Sequence, residues 1–140
     1  VPTPGAAFGR VHNPPKEITT LADYRTRYGQ YRSDPDLQKL HARHPFITIY
    51  DDHEIANDTW LEGAQNHSPA LDGSFDARKL AATQAMYEYL PIRGLPNDPT
   101  TPMYRAFRYG DLAEVIFLDT RNEGRDEQLT NVALDTPIVI

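Results

Sequence analysis

One seven-residue run concentrates the side chains able to do chemistry: Asp51-Asp52-His53-Glu54-Ile55-Ala56-Asn57. Asp51, Asp52, His53 and Asn57 supply two carboxylates, an imidazole and an amide oxygen within one turn-like segment. These are the hard and intermediate donors that suit iron, manganese, calcium or zinc. A second reading of the same residues stands beside it: acids that follow a strand also cap helices, with Asp52 satisfying free backbone amides and His53 simply exposed.

The residues before this run say where it sits. Phe46-Ile47-Thr48-Ile49-Tyr50 is β-branched and aromatic and too short for a helix, so the pattern predicts a buried strand. The polar cluster then falls just past the carboxyl end of that strand, where open α/β sheets tend to bind ligands. The chain has no cysteine, which excludes thiol nucleophiles, disulfides and Cys-type zinc sites. Any metal must be held by oxygen and imidazole. His12, His41, His44 and His67 share no ligand spacing, except that His41 and His44 lie three apart near a helix end, a spacing open to zinc or to a C-terminal capping role. Trp60 and the eight tyrosines read as amphipathic core rather than as a stacking platform.

The elements that would position the run follow from caps and periodicity. The first nineteen residues hold four prolines and two glycines without period and read as an extended lead-in. Thr20 with Asp23 resembles a capping box, and Leu21, Tyr24, Tyr28 and Tyr31 at helical spacing predict a helix to about Ser33. Asp34-Pro35 opens a second, shorter helix carrying Leu37, Leu40 and His41. Asn66 to Asp76 reads as a loop. Asp76 is expected to cap a helix through Tyr89 with Ala82, Ala85, Met86, Tyr89 and Leu90 as its apolar stripe, stopped by Pro91. Residues 91–102, with four prolines and a glycine, form a connection. Met103 to Tyr109 and Leu112 to Leu118, separated by Gly110-Asp111, predict two adjacent antiparallel strands, the second of them buried. Arg121, beside Asp119, reads as half of a structural ion pair.

Composition bounds the function. At 140 residues the chain is one domain or part of one. A hydrophobic share of 39% with 24% charged residues is that of a globular protein, and no apolar run is long enough to cross a bilayer. The net charge of -6, with acids mixed among the arginines, argues against a nucleic-acid surface. Val1 to Ala7 shows no signal-peptide pattern. The closing Pro137-Ile138-Val139-Ile140 reads as a strand cut short, so a piece of a longer chain is expected.

Three segments in order, Leu21 to Tyr28, Ser33 to Gln38 and Asp51 to Asn57, resemble the central part of PhoD-like alkaline phosphatases, metallophosphatases by class. Ala81 to Arg93, Tyr104 to Leu112 and Leu118 to Arg121 extend the resemblance over roughly residues 16 to 128. It implies a mixed α/β (α+β) fold, part of a metallophosphatase β-sandwich of two packed sheets with helices outside, in which residues 1–140 are an incomplete central part and 1–19 the lead-in. It implies hydrolysis of phosphate monoesters or diesters at a polynuclear site of iron and calcium, with zinc or manganese as the alternative, in a secreted or periplasmic enzyme. By the same resemblance Asp52 and Asn57 are the best metal ligands. Asp51 and His53 complete the shell or contact phosphate, His53 assists proton transfer, and Arg25 and Arg27 contact phosphate. The family also carries an earlier Gly-Asp motif and a later Gly-Asp-x-His motif, neither present here, so a noncatalytic fragment or binding domain lacking a complete metal site, and a mononuclear zinc hydrolase built on His53 and Asp52 with one of the other histidines, stand as competing expectations.

Overall fold

In the computed structural model, which describes residues 4–93 and 102–129, helix caps explain where the first elements begin. Thr20 Oγ1 accepts from the Asp23 amide at 3.2 Å and Asp23 Oδ2 accepts from the Thr20 amide at 3.3 Å, a reciprocal box that starts helix α1, Leu21–Arg32. Asp34 Oδ1 accepts from the amides of Asp36 and Leu37, both at 2.9 Å, and Pro35 follows at the first helical position, starting α2, Pro35–Arg43. The expected loop after Asn66 contains one helical turn, α3, Pro69–Asp72. The long helix α4, Phe75–Tyr89, is capped by Ser74, whose Oγ accepts from the Ala77 amide at 3.2 Å. Asp76, expected as the cap, is already inside the first turn, because only the extended backbone of Ser74 turns its side chain back toward the free amides.

Helices α1 and α4 pack against each other and enclose the core. Tyr24, Ile55, Ala56, Ala64, Phe75, Ala82 and Ala85 form one buried cluster, with Ile18, Leu21, Tyr28 and Ala81 against it. The alanines of α4 let α1 approach closely, and the Tyr28 and Tyr89 rings stack at 5.6 Å. A second cluster joins Tyr50, Met86 and Met103. Burial of each large side chain here contributes about 1.5–3 kcal/mol.

The strand expected over Phe46 to Tyr50 is absent: the segment is extended but carries no ladder. A strand exists only where a neighbour takes its backbone groups, and here the long-range partner of the backbone is the Arg105 guanidinium, which donates to the Thr48 carbonyl. Phe46 and Ile47 are correspondingly exposed and Tyr50 alone is buried. The antiparallel pair is formed as expected, β1 Arg105–Tyr109 with β2 Ala113–Phe117, in register Arg105↔Phe117 and Tyr109↔Ala113. Gly110 turns between them at φ +56°, a left-handed conformation that favours glycine. The second strand is not buried: Val115 and Ile116 are exposed. The chain is thus a mixture of helix and strand, and among the described residues its only sheet is this two-stranded one.

The lead-in begins with a 3-10 helix, Pro4–Phe8, then runs along α1, where the Gln30 side chain accepts from the Asn13 amide and donates to the Val11 carbonyl, both at 2.7 Å. Residues 119–128 fold back over the loop that follows Tyr50: the Leu61 amide donates to the Arg125 carbonyl at 3.0 Å, and Gln128 Nε2 to the Asp58 carbonyl at 3.2 Å. The connection at 94–101 and the apolar run at 137–140 lie outside the described residues.

Candidate functional site

The loop from Asp51 to Gln65 is built by its own polar groups. The amides of Ile55 and Ala56 both donate to the Asp52 carbonyl at 2.9 Å, and the Asp58 amide donates to Asp52 Oδ2 at 2.7 Å. Asp58 takes φ +51° to bring that amide round, a conformation that aspartate tolerates better than most residues. Asn57 is held from both ends, its carbonyl accepting from the Gln65 amide at 3.0 Å and its Nδ2 donating to Gln65 Oε1. Trp60 and Gly63 close the far turn, where the indole lies so near that a Cβ on Gly63 would sit 2.5 Å from it.

A buried polar chain anchors the loop to the helices. The Tyr24 hydroxyl donates to the Ile55 carbonyl at 2.5 Å and accepts from Arg78 Nε at 3.1 Å. The Arg78 guanidinium, 1% exposed, also donates to the Asn66 carbonyl at 3.1 Å and to Glu17. Helices α1 and α4 and the lead-in therefore each contribute a link. Burial opposes the charge of Arg78, but Tyr24 and Glu17 outweigh it and raise its pKa.

Asp52 is buried, 6% exposed, whereas Asp51 and His53 face solvent and Asn57 is half-buried. Burial pushes the Asp52 carboxyl upward, yet the amide hydrogen bonds, His53 and Arg121 outweigh it and hold the group below its ordinary value. His53 Nε2 lies 3.8 Å from Asp52 Oδ2. The other histidines go elsewhere: His41 stacks on Phe46 at 4.0 Å, and His67 is buried edge-on to Phe75. Arg121 does form the expected ion pair, but with Asp51, at 2.8 Å, and not with Asp119. Asp119 Oδ1 instead accepts the amides of Arg121 and Asn122 at 2.9 and 2.8 Å.

The two arginines expected near phosphate part company. Arg25 donates through Nε and Nη2 to both oxygens of Glu88, at 2.7 and 2.6 Å, a fork that ties α1 to α4. Arg27 donates to the carbonyls of Asn13 and Pro14 at 3.2 and 3.0 Å, and lines a cavity of about 190 Å³ with His53, Glu54, Ile18, Tyr24, Tyr28 and Tyr31. Arg27 therefore shares a cavity with the loop and Arg25 does not.

Among the loop's side-chain oxygens, Oδ1 of Asp52 and Oδ1 of Asn57 are two that accept no hydrogen bond among the described residues. By donor chemistry they fit a hard cation such as calcium or iron, but two oxygens are fewer than either metal's shell. Among the described residues no group of three His, Cys, Asp or Glu side chains is arranged to hold a metal. Sequence reasoning passed over Tyr24, Arg78 and Asp58 as parts of this site. The Asn57-Asp58 pair was a readable turn signal, but nothing local marks a tyrosine or arginine that acts on a loop dozens of residues away.

The PhoD-like phosphatase family matches residues 2–138, and the chain belongs to that family. It is 45% identical over 127 residues to alkaline phosphatase D of Bacillus subtilis (strain 168), covering 87% of this chain and 21% of that protein. A solved structure described as that of PhoD superposes with a TM-score of 0.76 at 44% identity, covering 86% of this chain and 23% of that one. The chain thus spans about a fifth of the length of the relatives it matches.

Proposed function

We propose that the protein to which this chain belongs is a metal-dependent phosphoesterase hydrolysing phosphate monoesters or diesters, and that residues 51–65 supply part of its metal site. The reading rests on family membership and on one observation: the buried Asp52 carboxylate has Oδ2 pinned by the Asp58 amide while Oδ1 accepts no hydrogen bond among the described residues. Asp52 Oδ1 and Asn57 Oδ1 are the donors this chain would give to iron or calcium, with zinc or manganese as substitutes. When bound, such ions activate water and neutralise charge on the phosphoryl oxygens. The chain's own groups do the rest of their share. His53, exposed beside Asp52, hands a proton to the departing alkoxide. Arg27, on the cavity wall beside it, contacts a phosphate oxygen.

Asp51, whose Oδ1 is occupied by Arg121, ranks behind Asp52 and Asn57 as a donor through Oδ2 alone. The remaining ligands belong to parts of the protein outside this chain, so the 140 residues alone are expected to be inactive. Secretion or export to the periplasm belongs to the same reading; no helix among the described residues is long and apolar enough to cross a membrane.

The test is hydrolysis of p-nitrophenyl phosphate and bis(p-nitrophenyl) phosphate by the full-length protein, with and without added iron and calcium, alongside Asp52→Ala and Asn57→Ala. Both variants are expected to lose metal content together with rate. Unchanged metal content in both, or hydrolysis indifferent to chelation, would reject the assignment.

A further inference from the structure

Arg121 has more contacts than a surface ion pair requires. Its side chain is 19% exposed, and it reaches three carboxylates of the loop. Nε and Nη2 both lie on Asp51 Oδ1, at 2.9 and 2.8 Å. Nη2 is also 3.8 Å from Asp52 Oδ1, and Nη1 is 3.9 Å from Asp58 Oδ1. The backbone of Arg121 is itself fixed by Asp119 Oδ1, so the guanidinium is delivered from a rigid turn.

The consequences for the two adjacent aspartates are opposite. Asp51 Oδ1 accepts from the Nε–H, with Nη2 beside it as a charge contact, and is held as a counter-ion. Asp52 Oδ1 lies within the field of the same guanidinium but beyond hydrogen-bond distance, so it is oriented without being consumed. With the Asp58 amide on Oδ2, the carboxylate is gripped from two sides. The ordinary alternative is a structural ion pair, and exposed pairs contribute little; here the arginine is largely covered and its fork spans residues on both sides of the turn.

We propose that Arg121 is a positioning residue for the phosphoesterase site, tethering Asp51 and, together with the Asp58 amide, fixing the Asp52 carboxylate in the orientation that leaves Oδ1 without a hydrogen bond. The inference rests on the function proposed above. A point charge cannot make the same contacts, so lysine is a poor substitute.

The two roles differ in sign. If Arg121 acted only as a nearby positive charge, its removal would strengthen cation binding. If it positions Asp52, its removal weakens cation binding despite the lost repulsion. The experiment titrates EDTA-stripped full-length protein with calcium chloride by calorimetry, for the wild type, Arg121→Met, Arg121→Lys and Asp52→Ala, with kcat and KM on bis(p-nitrophenyl) phosphate and the melting temperature of the stripped proteins. Arg121→Met is expected to weaken calcium binding about 10–100-fold and lower kcat by a similar factor with KM changed less than about threefold, as loss of ligand support does. Arg121→Lys should recover only a minor part. Calcium binding unchanged or tighter in Arg121→Met overturns the inference, as does full recovery by lysine. Should Arg121→Met fail to fold, Arg121→Lys decides alone, since it keeps the charge and loses the fork. Asp52→Ala separates the two claims: wild-type calcium binding there overturns the site itself, whereas loss there with a wild-type Arg121→Met overturns only the positioning role.

Discussion

The Tyr24 hydroxyl donates to the Ile55 carbonyl at 2.5 Å across 31 residues of sequence, joining helix α1 to the middle of the Asp51–Asn57 loop. The same oxygen accepts from Arg78, so one hydroxyl serves the loop and α4 together. Tyr24→Phe keeps the packed ring but leaves a buried guanidinium N–H and a buried carbonyl short of a partner. Each such loss costs about 1–3 kcal/mol. Denaturant unfolding of the full-length protein should show a combined loss of about 2–6 kcal/mol, and an unchanged midpoint would mean that water replaces the hydroxyl freely.

Asp58 carries φ +51°, and its amide holds Asp52. Asp58→Gly suits that backbone and should leave stability within about 1 kcal/mol of wild type. Asp58→Val places a β-branched residue in the left-handed region and should cost about 1–3 kcal/mol, together with a fall in phosphoesterase rate. Equal melting temperatures for the glycine and valine variants would contradict the geometry.

Acid should weaken the fold through carboxylates held below their ordinary values. For Asp52 burial acts upward but is outweighed by its amide hydrogen bonds, His53 and Arg121; for Asp23 burial is outweighed by Lys16 and the Thr20 cap. A depressed native pKa means that the unfolded chain binds more protons once pH falls to about 4. The stability these groups contribute is therefore complete above about pH 4 and is lost as pH falls through their native values. Asp52→Asn should flatten that dependence in unfolding curves taken from pH 6 down to pH 3, and an identical slope would remove Asp52 from the account.

Arg25 and Arg27 should behave differently in kinetics. Both oxygens of Glu88 occupy Arg25, whereas Arg27 lines the cavity that holds His53. Arg25→Gln is expected to leave KM for p-nitrophenyl phosphate within about twofold, and Arg27→Gln to raise it about tenfold, the worth of one charge-assisted hydrogen bond. A rise in KM for Arg25→Gln alone would reverse the assignment.

Local chemistry was legible from the chain itself. The Thr20 box, the Asp34-Pro35 start and the Gly110 turn depend on residues within a few positions, and all three stand where spacing put them. The donors of the Asp51–Asn57 run were equally plain, since a ligand type belongs to its side chain. The Phe46–Tyr50 segment was not, because its residues favour a strand but only a neighbouring strand makes one, and none pairs with it among the described residues.

What tertiary structure alone decided is how those donors are used. Asp51 and Asp52 are adjacent and identical in type, yet one is tied to Arg121, 70 residues away, and the other to the Asp58 amide of its own loop. No periodicity encodes that difference: it arises because a hydrogen bond depends on distance in space, and residues 119–128 come to the loop only when the chain has folded back over it.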